Sequence, residues 1–93
     1  MTLHNKRKLI FDKFAGMYLY CKGIVEVKDL VRLLTECNVN CNSINIAGIT
    51  NHVGNYIYIY KEDLITGAEY HNACPKYNYV EYNDTKDDIK YLL

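Results

Sequence analysis

Residues 55–60 read Asn-Tyr-Ile-Tyr-Ile-Tyr, an alternation of aromatic and β-branched residues directly after Gly54. Successive side chains of a strand point to opposite faces, and these residue types favour a pleated, half-buried surface. The alternation predicts a strand that turns Ile57 and Ile59 toward a core and lines its other face with Tyr56, Tyr58 and Tyr60. Those rings either pack beneath a helix with their hydroxyls at the rim or remain a surface. With ten tyrosines in the chain, not all can be core, and some aromatic surface is expected to stay exposed.

The 93 residues suffice for a single domain, 1–93, with one modest core. Asn, Lys, Ile and Tyr are abundant and Trp is absent, which is the usage of an AT-rich coding sequence. A virus, phage or mobile element is the expected source, and codon bias accounts for part of the tyrosine excess. The formal charge is zero, but residues 1–32 carry +4 and the remainder −4. Nucleic-acid binding driven by bulk charge is not expected from that balance; the basic first helix reads as a solvated face.

Lys6-Arg7-Lys8 leads into apolar positions broken by Asp12 and Lys13, so no signal-peptide core forms. No stretch approaches the ~18 apolar residues of a membrane span. The chain is expected to be intracellular, in the cytoplasm or that of a host cell, with Cys21, Cys37, Cys41 and Cys74 largely reduced.

Ile10, Phe14, Met17 and Cys21 recur at helical spacing and predict a first helix over residues 3–21, with Thr2 as its cap and Gly23 at its end. Gly16 weakens its interior by about 1 kcal/mol relative to Ala. Val27, Leu30, Val31, Leu34 and Cys37 trace the apolar face of a second helix. Asn38, Asn40 and Asn42 mark a loop. Residues 43–47 fit a strand or a helix, and propensity favours the strand, paired in a hairpin with 55–60. Residues 61–72 read as irregular, 76–82 alternate as a third strand, and Asp84 opens a short terminal helix. The expectation is an α+β domain: two N-terminal helices on a small antiparallel sheet (43–47, 55–60, 76–82), with a core of Ile10, Phe14, Leu30, Val31, Leu34, Ile44, Ile46, Ile57, Ile59 and Val80.

Cys37-x3-Cys41 and His71-x2-Cys74 form two pairs of soft ligands that invite a zinc reading, although the spacings fall outside the common forms. Small buried thiols are the plainer account, and no metal or cofactor is assigned. Cys74 with His71 or His52 has the residue types of a nucleophilic pair but no surrounding signature. The glycines are scattered, so no phosphate loop exists. The chain is therefore read as non-enzymatic.

The succession of helix one, short extended link, helix two, Asn-rich turn and residues 43–52 before 55–60 resembles a winged helix. That resemblance implies a DNA-binding regulator whose recognition helix is 43–52 and whose wing begins at Asn55. The segment 43–52 contains no Arg or Lys, leaving Asn45, Thr50 and Asn51 as base readers. The favoured reading is instead a protein-binding accessory module that binds and modulates a host protein, with inhibition as the expected mode. Tyrosine supplies large contact area at low entropy cost. Its partner surface is expected at Tyr56, Tyr58, Tyr60, Tyr77 and Tyr79, with Asn51 and His52 at a loop tip.

Overall fold

A computed structural model describes residues 2–49, 55–62, 65–72 and 79–91. Thr2, in extended backbone, accepts the Asn5 amide on its hydroxyl and caps α1 (Leu3–Phe14). The first helix stops well short of residue 21. The Ala15 amide closes the last turn on the Phe11 carbonyl, Gly16 takes φ +84°, and the Gly16 amide donates to the Ile59 carbonyl at 2.7 Å. That left-handed step, which glycine makes without a Cβ penalty, turns the chain into β1 (Tyr18–Cys21). Met17 and Cys21 keep a helical period only by coincidence with the strand's own alternation.

Helix α2 (Ile24–Glu36) buries Val27, Leu30, Leu33 and Leu34. Its end is a Schellman motif: Asn38 sits at φ 63°, its amide donates to the Thr35 carbonyl, and the Val39 amide donates to the Leu34 carbonyl, both at 2.9 Å. Val39 is buried against the core, as the residue two beyond such a cap commonly is.

The expected strand over 43–47 does not form. The Ile44 amide is taken by the Cys41 carbonyl, and a single 3₁₀ turn (Ile46–Gly48) follows. The loop instead closes the edge of the sheet. The Asn40 carbonyl accepts the Ala68 amide at 3.0 Å, and the Ser43 hydroxyl donates to the Ala68 carbonyl at 3.0 Å. These two bonds pair the backbone groups of Ala68 on what would otherwise be an open sheet edge.

The remaining elements are β2 (Asn55–Glu62), β3 (Ile65–His71), β4 (Tyr79–Glu81) and α3 (Tyr82–Tyr91). The sheet order is β3-β2-β1-β4. β2 pairs antiparallel with both β1 and β3, whereas β4 is parallel to β1, so the sheet is mixed rather than purely antiparallel. The hairpin partner of β2 is therefore residues 65–71, not 43–47, and 65–71 is regular where an irregular segment was expected. Within 76–82, Tyr79–Glu81 is strand and Tyr82 already opens α3; residues 76–78 lie outside the described set.

The α+β class and the two N-terminal helices with a short C-terminal one are as the sequence predicts. Ile57 and Ile59 are fully buried beneath the helices together with Ile10, Phe14, Leu19, Leu30, Leu34 and Ile89. Ile44 is buried too, while Val31, Ile46 and Val80 are only partly buried at the core's margin. The winged-helix resemblance is not carried by the architecture. Among residues 43–49 the only helical structure is that one 3₁₀ turn, Thr50 and Asn51 lie outside the described residues, and the supposed wing is an inner strand of the sheet.

Candidate binding face of the sheet

One face of the sheet receives the helices; the other is lined by rings. Register places Tyr18 opposite Tyr58 and Tyr20 opposite Tyr56 across β1 and β2, with Tyr79 of β4 beside Tyr18. His71 of β3 faces Tyr56 and Glu69 faces Tyr58. The rings gather into two clusters. In the first, Tyr18 and Tyr58 have centroids 4.6 Å apart, His71 meets both edge-on at 5.4 and 6.1 Å, and Tyr60 stacks on Tyr58 at 6.5 Å. In the second, Tyr20, Tyr56 and Tyr79 stand 5.1 to 5.9 Å apart, with Tyr56 and Tyr79 near perpendicular. Tilted and edge-to-face pairs at these separations contribute roughly 0.5–1.5 kcal/mol each beyond the area they bury.

The clusters fix their own rings. Tyr56 is 6% exposed, enclosed by Tyr20 and Tyr79, whereas Tyr79 at the flank is 45% exposed. Tyr18, Tyr20, Tyr58 and Tyr60 are half-buried. Tyr60 lies over Gly67, where an added Cβ would stand 2.6 Å from the Tyr60 hydroxyl and 3.0 Å from the Asn40 carbonyl. The missing side chain at Gly67 is thus what admits both the ring and the edge-covering loop. Glu69 and the His71 Nε2 are 3.0 Å apart, placed for the ring N–H to donate to the carboxylate.

Of the residues expected to bind a partner, Tyr56, Tyr58, Tyr60 and Tyr79 share this face; Asn51, His52 and Tyr77 lie outside the described residues. Tyr18, Tyr20 and His71 belong to the same face and were missed from the sequence. Tyr18 falls inside the helix expected over residues 3–21, and His71 inside the zinc set. The signal that finds the first two is Tyr18-Leu19-Tyr20-Cys21, the same alternation as 55–60 in shorter form.

The four residues of the zinc reading do not converge among those described. Cys37 is buried in the core at the end of α2, Cys41 is half-buried in the loop, and His71 is on the ring-bearing face; Cys74 lies outside the described residues. No group of three or more His, Cys, Asp or Glu among the described residues is arranged to hold a metal ion. Burial raises the Cys21 thiol to about 12, assisted by Glu26 and Asp29. It raises Cys37 and Cys41 as well. These three thiols are protonated at neutral pH, which is the opposite of an activated nucleophile.

In the helix layer, the Tyr82 hydroxyl donates to Asp29 and Arg32 reaches the other carboxylate oxygen at 2.8 Å. The hydroxyl and then the guanidinium hold the Asp29 carboxyl below its ordinary value. Burial, followed by the Asp29 contact, pushes the Tyr82 phenol up. This group ties α3 to α2 and faces no ring cluster. No helix among the described residues is long and apolar enough to cross a membrane. The chain matches no protein-family model, no curated protein and no solved structure.

Proposed function

We propose that this is a small non-enzymatic accessory protein that binds and inhibits another protein through the ring-bearing face of its sheet. The observation carrying this reading is the pair of clusters, seven rings held in mutual contact on the face opposite the helices. Rings already fixed by their neighbours lose little freedom when a partner settles on them, so their contact area converts efficiently into affinity. The AT-rich coding bias fits a viral, phage or mobile-element source, which makes the partner a protein of the host.

The test compares wild type with Tyr79→Ala and Tyr58→Ala as immobilised baits in nuclease-treated host lysate. Truncating an interface anchor costs about 2 kcal/mol or more, roughly thirtyfold in affinity, so a stoichiometric protein held by wild type should be lost by both. Tyr79 is 45% exposed but makes two ring contacts, so its variant should lose about 1–3 kcal/mol and is compared with wild type well below its melting temperature. Tyr58→Ala gives up three ring contacts, about 1.5–4.5 kcal/mol in all, and is compared likewise. Equal retention by both variants would remove the face from consideration.

A further inference from the structure

We infer that the segment this face takes is an extended, cationic stretch of polypeptide carrying arginine at alternate positions. The inference rests on the protein-binding reading above and names the partner's chemistry. Across the whole chain, acidic and basic residues are equal at 11 each. On the ring-bearing face they are not. The outward register positions of the described strands hold the rings, Gly67, Ile65, and three carboxylates, Glu62, Glu69 and Glu81, with no Lys or Arg. Lys61 shares the parity of Ile57 and Ile59 on the helix side, and most of the remaining described cations, from Lys6 on α1 to Lys90 on α3, sit in the helix layer.

Each ring cluster has a carboxylate beside it. Glu69, whose second carboxylate oxygen is left over from its contact with His71, lies directly opposite Tyr58 of the first cluster, and Glu81 directly opposite Tyr20 of the second. Directly opposed strand residues stand about 5 Å apart, close enough for one guanidinium to lie on a ring while its N–H fork reaches the acid. Phenol faces attract cations through their quadrupole, and a phosphate-rich partner would meet three carboxylates with no Lys or Arg beside them on the described strands. Each cluster takes one ring from β1, Tyr18 in the first and Tyr20 in the second, two residues apart or roughly 7 Å along the strand. Alternate side chains of an extended peptide have that same spacing. A peptide with arginine at every second residue can therefore place consecutive guanidinium groups on consecutive clusters.

The probe is a nine-residue capped peptide alternating Arg with Ser, titrated calorimetrically into the full chain, with amide shifts mapped by NMR. Controls replace Arg with Lys, with uncharged citrulline, or space the arginines every third residue. Binding should perturb β1 and β2, weaken with salt, and fall about tenfold or more for citrulline, which keeps the planar shape but lacks the charge. Glu69→Gln and Glu81→Gln should each weaken it about three- to fivefold without moving the melt. Equal binding of the citrulline peptide, no binding of the arginine peptide, or shifts confined to the helices would overturn the inference. So would tighter binding of a single-stranded oligonucleotide to this face, or self-association that buries it in sedimentation experiments. If the peptide is rejected while Tyr79→Ala still loses its captured protein, only the cationic inference fails; if both tyrosine variants capture normally, the binding reading fails with it.

Discussion

Tyr82→Phe isolates a single hydroxyl that joins the last helix to the second. Tyr82 is 1% exposed, its hydroxyl donates to Asp29, and the other Asp29 oxygen accepts from Arg32 at 2.8 Å. Hydrogen bonds to a charged group contribute about 1.5–3 kcal/mol, and removing the hydroxyl leaves one Asp29 oxygen without its donor. The Asp29 side chain, however, is 32% exposed, so the vacated carboxylate position can be rehydrated and the cost falls toward the lower end. The expected loss is about 1–2 kcal/mol, or roughly 5–15 °C in melting temperature for a domain of this size. A double-mutant cycle with Asp29→Asn should return a coupling of similar size.

The pH dependence adds a second signature of the same bond. Because the native Asp29 carboxyl is held low, the unfolded chain takes up the proton first as pH falls. Its contribution is complete above about pH 4 and disappears as the pH drops through the native value below that. The native Tyr82 phenol is held high, so its contribution is complete below about pH 10, the unfolded value, and is lost as the pH rises beyond it. The difference between wild type and Tyr82→Phe should be flat between about pH 5 and 9 and shrink on both sides. A melt shifted by less than about 2 °C, or strictly additive variants, would show that this bond does not couple the helices.

Gly16→Ala should cost about 1–2 kcal/mol from backbone strain alone, since nothing lies within 4 Å of the added Cβ; Gly16→Asn should recover part of it in thermal melts. Gly67→Ala drives a Cβ against the Tyr60 hydroxyl and the Asn40 carbonyl, so a loss of about 1–3 kcal/mol is expected. Hydrogen exchange at the Ala68 amide, which donates to that carbonyl, should quicken ahead of the other sheet amides. In native-state alkylation mapped by peptide mass, Cys41 should react before Cys21 and Cys37, which are fully buried; Cys21 reacting first would contradict its burial and its raised value of about 12.

The sequence by itself determined the inner strand and the second helix. At residues 55–60 the alternation is long enough to exclude a helix, and burying Ile57 and Ile59 leaves the tyrosines no choice of face. In α2 the apolar spacing spans the whole helix, and Asn38 is one of the few residues that readily takes the left-handed step ending it. From these the α+β class follows, as does the half of the candidate face contributed by Tyr56, Tyr58, Tyr60 and Tyr79. Tertiary structure decided the rest, because short windows satisfy two periods at once. Residues 18–21 fit a helical stripe as well as a strand until the Gly16 amide finds the Ile59 carbonyl, a partner far away in sequence. Residues 43–47 alternate like a strand, yet the Ile44 amide is satisfied locally and the loop serves better as a cover for β3. Strand β3 was invisible because, at a covered edge, it needs only Ala68 and Tyr70 to face the core and can present Gly67, Glu69 and His71 outward. Those edge pairings placed His71 and Glu69 beside rings from two other strands, a juxtaposition that no local pattern encodes.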